Sequence, residues 1–129
     1  MTIHPHHGTV DYDSRQVRKL RPLTMPLRLI YVTCENREEA LKIANETVKN
    51  RLAACANIIG DITSVYWWDG TIQEGQEVAL ILKTREDLTE KLTAKIMELH
   101  SYTCPCVVAF PIEGGNSAFL DWIESETRS

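Results

Sequence analysis

Apolar and polar positions sort the chain from Leu27 onward into alternating β-like and helical stretches. Leu27, Leu29, Tyr31 and Thr33 interleave with Arg28, Ile30, Val32 and Cys34 in β-prone residue types, which predicts a first strand. Asn36, with Glu39 three positions on, has the form of a capping box with Asn as the cap, and Leu41, Ala44, Val48 and Leu52 then recur at helical spacing. A first helix from about Arg37 to Leu52 follows. A second β-like stretch leads from Cys55 through Ile58, Ile59, Ile62 and Val65 to Trp68, bent at Gly60. Asp69-Gly70 then turns the chain back, because a type I′ turn needs positive φ at both central residues and this pair tolerates it.

Strand three ends in Glu77 to Thr84. Thr84 is the expected cap of a second helix whose Leu88, Leu92, Ile96 and Leu99 form one stripe, with Asp87 and Lys91 as an ion pair one turn apart. Pro105 and Pro111 bracket a fourth strand from Cys106 to Phe110, and Gly114-Gly115-Asn116 introduces a short last helix carrying Phe119, Trp122 and Ile123 on one side. The order β-α-β-β-α-β with an additional C-terminal helix predicts an α+β, ferredoxin-like sandwich, in which one antiparallel sheet carries both main helices on one face. The other face needs cover. On strand three both the Val78, Leu80, Leu82 side and the Ala79, Ile81 side are apolar, whereas a sheet with one wet face alternates apolar with polar. Tyr66, Trp67 and Trp68 repeat this on strand two, so a homo-oligomer that stacks or extends the sheets is expected, with these three aromatics at the interface.

Composition narrows the classes. At 129 residues, 43% hydrophobic and 25% charged, the chain fits one globular domain whose core needs neither disulfides nor a structural metal. A net charge of -4 argues against nucleic acid and against an anionic membrane surface as partners. The longest apolar runs, Val78 to Leu82 and Cys106 to Phe110, have strand length, and the start of the chain has no secretory apolar stretch. A cytoplasmic protein is therefore expected, with Cys34, Cys55, Cys104 and Cys106 kept as thiols. Residues 1–26 hold Pro5, Pro22, Pro26, three histidines and a basic cluster without hydrophobic period, and read as a poorly ordered extension ahead of a domain at 27–129. Its His4, His6 and His7 would bind ions weakly and without selectivity.

Four segments share a resemblance: Arg51 to Ile58, Ser64 to Gly70, Glu77 to Thr84, and His100 to Pro105. In this order they resemble the CutA family of divalent-cation tolerance proteins, over about Leu29 to Ile123. The resemblance implies a ferredoxin-like subunit, a tight homotrimer and a role in tolerance to copper and other divalent metals, with no established enzymatic reaction. A copper-associated cysteine on the first strand of some members falls at Val32 here. Of a histidine pair near the end of helix two only the second remains, as His100 after Leu99, and the acidic residue that commonly follows the proline is replaced by Cys106. The implied ligand set is thus incomplete.

The predicted topology offers another set. Strand one ends at the edge where helix two ends and strand four begins, which places Cys34, His100, Cys104 and Cys106 toward one end and Cys55 at the other. Thiolate and imidazole suit Cu(I) or Zn(II), so copper or zinc is the expected ion, and no cofactor is required for the fold. The Cys-x-Cys spacing is a weaker metal signature than Cys-x-x-Cys, and these cysteines also fit the sheet as small apolar residues. His100 also suits a helix carboxyl end. Trp67 and Trp68 could stack a ligand, but packing is the commoner use. Among rivals, a metal-trafficking module needs a second thiol that Cys34-Glu35-Asn36-Arg37 lacks. A trimeric PII-like signalling protein that binds a nucleotide or small molecule needs a phosphate nest, for which Gly114-Gly115 is too little. Catalysis is not expected, since no nucleophile has an evident base.

Overall fold

The structure is a computed structural model that describes residues 25–128. The expected extension at 1–26, with His4, His6 and His7, lies almost wholly outside them. The described chain forms β1 (Leu27–Cys34), α1 (Arg37–Lys49), β2 (Cys55–Trp68), β3 (Thr71–Arg85), a 3-10 turn (Glu86–Leu88), α2 (Thr89–Leu99), β4 (Val107–Ile112) and α3 (Ser117–Glu126). The four strands pair antiparallel in the order β2-β3-β1-β4, the α+β ferredoxin-like arrangement that the element order predicted. No described helix is long and apolar enough to cross a membrane.

Several local expectations change. α1 stops at Lys49 because Arg51 adopts φ 62°, and the N–H groups of Arg51 and Leu52 close the last turn on Val48 and Thr47 at 3.0 and 2.9 Å. Thr84 does not cap a helix. It is buried in β3, where its hydroxyl donates to the Leu52 carbonyl at 2.6 Å, and the 3-10 turn delays α2 to Thr89. Asp87 pairs with Arg85 at 3.0 Å, not with Lys91, because the 3-10 turn breaks the helical spacing between them. β4 begins at Val107 and runs through Pro111, which an edge strand tolerates since the missing N–H takes no partner from the ladder.

The main core lies between the sheet and the first two helices. Ile30, Val32, Cys34, Val78, Leu80 and Leu82 pack there against Ala40 and Ile43 of α1 and Leu92 and Ile96 of α2. Side chains alternate across a strand, so Leu27 points the other way, and α3 covers it with Leu120 and Ile123. That cover is short. Farther along the same face Ile59, Val108 and Phe110 stay 48%, 44% and 52% exposed.

The β2–β3 hairpin leaves this body. Its turn has Asp69 at φ 54° and Gly70 at φ 79°, as a type I′ turn requires, and a bulge between Ile59 and Asp61 puts the expected irregularity at Gly60. Beyond the bulge Val65, Trp67 and Ile72 are among the most exposed apolar side chains of the described residues.

Candidate cation site at the end of strand one

β1 delivers Cys34, the N-terminal turn of α1 delivers Glu39, and His100 follows the last residue of α2. One ligand atom from each lies within 4.8 Å of the other two, the only such group of three among the described residues. Cys34 and His100 are buried and Glu39 is half-buried.

The local sequence explains how Glu39 arrives. Asn36 caps α1, its Oδ1 accepting from the Glu39 N–H at 2.9 Å. In a capping box the Glu39 carboxylate would return to the cap's own N–H. Here Oε1 accepts from Glu35 N–H at 3.2 Å and Oε2 from Ser101 N–H at 3.0 Å, tying the start of α1 to the segment after α2. Burial alone would raise the Glu39 pKa, but the hydrogen bonds from Ser101 and Glu35 outweigh it and hold the carboxyl below its usual range.

His100 is equally constrained. Nε2 lies 2.8 Å from the Thr33 carbonyl, and Nδ1 accepts from Tyr102 N–H at 3.1 Å, which assigns a neutral ring with its proton on Nε2. Nδ1 also lies 3.6 Å from Glu39 Oε1. The Tyr102 ring leans on the imidazole, with centroids 4.6 Å apart, and its hydroxyl donates to Glu77 at 2.9 Å. Burial, then the negative charges of Glu39 and Glu77, push the Cys34 thiol up to about 12.

One sulfur, one nitrogen and one oxygen donor suit an ion of borderline softness such as Zn(II) or copper. Binding there would take a proton from Cys34 and free His100 Nδ1 from Tyr102. Glu39 already stands ionised.

The four residues expected together divide into two pairs. Val32 pairs with Val107, so the residue before Val107 opens onto the face of Thr33 rather than that of Cys34. Partial burial, then the Glu77 charge, pushes the Cys106 thiol up. Cys104 and Cys106 are both exposed and line a cleft of 510 Å³ whose far wall is the hairpin, with Tyr66, Trp68 and Glu77. Trp67, 71% exposed, does not line it. Cys55 sits buried at the other end, its thiol raised by burial against the opposing Lys83 charge. Glu39 was legible only as a cap residue, although an acidic side chain beside the turn where β1 enters α1 was the available signal.

The sequence matches the family described as CutA1 divalent ion tolerance protein over residues 28–126. It is 44% identical to Protein CutA 1, chloroplastic, of Oryza sativa over 81% of this chain, and spans 59% of that relative's length. The divalent-cation tolerance protein CutA of Archaeoglobus fulgidus is 44% identical over 74% of the chain and 92% of its own length. The fold superposes on a crystal structure of CutA1 from Oryza sativa with TM-score 0.79 at 43% identity, covering 82% of this chain and 97% of that one. These likenesses give no support to the nucleotide-binding alternative.

Proposed function

The chain belongs to the CutA1 divalent ion tolerance family, and from that membership we propose a homotrimer that binds a borderline divalent cation, zinc or copper, through Cys34, Glu39 and His100. The observation that carries this reading is the approach of the three donor atoms to within 4.8 Å of one another. The proposed role is binding without catalysis, in the cytosol, where the thiols stay reduced. The trimer is supported by the apolar surface left open on the sheet and on the hairpin, which a second and third copy would cover.

Ligation makes uptake pH-dependent. Cys34 enters as a thiol whose pKa is pushed up to about 12 and must lose its proton to bind, so protons compete with the ion and affinity falls on acidification. The test is titration of the full chain with Co(II) as a spectroscopic stand-in for zinc, comparing wild type with Cys34→Ser and Glu39→Gln. Wild type should develop a sulfur-to-metal charge-transfer band that Cys34→Ser lacks, and Glu39→Gln should bind roughly 10- to 100-fold more weakly. An identical band in Cys34→Ser would remove the site.

A further inference from the structure

The backbone just after His100 occupies the ligand atoms of the proposed cation site. Ser101 and Tyr102 each direct a backbone N–H at one of them: Ser101 at Glu39 Oε2, 3.0 Å away, and Tyr102 at His100 Nδ1, 3.1 Å away. The two acceptors differ in capacity. A carboxylate offers about four lone-pair positions, so Glu39 can keep its donors from Glu35 and Ser101 and still take a cation. A neutral imidazole offers a single acceptor nitrogen. Nε2 carries the ring proton and is turned to the Thr33 carbonyl at 2.8 Å, so Nδ1, 3.6 Å from Glu39 Oε1, is the nitrogen left for a cation in this cluster. Its lone pair already serves Tyr102. A cation and the Tyr102 N–H therefore exclude each other at one atom.

Tyr102 is fastened in this blocking position from its other end. Its ring lies against the imidazole with centroids 4.6 Å apart, and its hydroxyl donates to Glu77 Oε2 on β3 at 2.9 Å. The residues between α2 and β4 belong to no regular element, so Tyr102 is held by these side-chain contacts and by His100 rather than by a strand ladder or a helix. Its release needs only those few contacts to part.

We infer that Tyr102 is a latch on the cation site: closed, it lowers affinity by holding His100 Nδ1, and cation uptake releases its N–H and loosens its hold on Glu77. The inference rests on the proposed use of Cys34, Glu39 and His100 as ligands. Apparent affinity is the intrinsic affinity reduced by the fraction of chains with the latch open, so weakening the latch must strengthen binding. A residue that merely supports the site has the opposite sign, since its loss weakens binding.

The test uses the full chain, reduced, with Co(II) to measure affinity and Zn(II) to perturb amide hydrogen exchange followed residue by residue by NMR. Tyr102→Phe keeps the ring and the N–H but removes the bond to Glu77. It should bind Co(II) about 5- to 10-fold more tightly than wild type, the scale of one partly exposed hydrogen bond to a carboxylate. In wild type, saturating Zn(II) should speed exchange at the Tyr102 N–H by about 10-fold or more, whereas the His100 N–H, bonded to the Ile96 carbonyl at 2.9 Å, should keep or gain protection. A Cys34-dependent cobalt band together with an unchanged Tyr102 N–H would overturn the latch and leave the ligands in place. Equal or weaker binding by Tyr102→Phe would do the same. Absence of that band in wild type would remove the cation reading and the latch with it.

Discussion

The β2–β3 hairpin behaves as two different structures built from one pair of strands. Near its base Val78, Leu80 and Leu82 are buried under α1 and α2, whereas beyond the Gly60 bulge Val65, Trp67 and Ile72 are 66%, 71% and 61% exposed. Both halves carry large apolar side chains and both are regularly paired. The base finds its packing partners within its own chain, and the arm does not. Hydrophobic patterning thus reports how much burial a strand is suited to, while the placement of helices decides which part of that burial one chain can provide.

The largest effect should come from the base. Leu80→Ala removes a fully buried side chain from the main core and should lower unfolding free energy by about 2–5 kcal/mol, read from the denaturant midpoint. A loss below about 1 kcal/mol would mean that the base is no better packed than the arm. On the arm, Trp67→Asp should leave far-ultraviolet circular dichroism near wild type while reducing self-association by at least about 2 kcal/mol, the scale of an interface hot spot. Sedimentation at micromolar concentration would show that shift, and an unchanged wild-type-like oligomer would make the arm a free surface.

Smaller changes sharpen the division. Gly70→Ala places a side chain at φ 79° in the arm's turn, which should cost about 1–2 kcal/mol and affect the arm's hydrogen-exchange protection before that of the base. Glu39→Gln tests the body's end of the sheet through pH. The folded Glu39 has a lowered pKa, so its ionised form stabilises the fold above the unfolded value near 4.5, and that contribution is lost as pH falls toward the folded value. The variant should therefore be less stable than wild type at neutral pH, with the gap shrinking in acid. A gap that stays constant from neutral pH to about pH 3 would show that the carboxylate's charge is not what matters.

Most of the fold was legible because its signals are local and repeated. Alternation marked β1, helical spacing with Asn36 marked α1, and Asp69-Gly70 marked a turn whose two positive φ angles the structure shows. What failed depended on geometry across the chain. Thr84 looks like a cap in sequence, yet the carbonyl of Leu52 reaches it from the end of α1, and the 3-10 turn displaces the helix. The site was half legible. Topology brought Cys34 and His100 to one end, but the Val32–Val107 pairing that sends Cys106 to the opposite face is a register, and register is set by pairing partners that no single segment encodes. Glu39 was hidden because one residue serves both a cap and a cluster.

Strand pairing also implies an order in time. β2 and β3 are joined by a two-residue turn, whereas β1 must find β4 across most of the domain, with Leu27 opposite Ile112. Hairpins close in about 1–10 μs, and contacts distant in sequence form later because more loop entropy is lost in making them. A newly made chain is therefore expected to display its exposed aromatic arm while the fourth strand is still searching for its place. During that interval the arm can meet other unfinished chains as readily as finished ones, so the yield of the proposed oligomer should fall as the rate of synthesis rises.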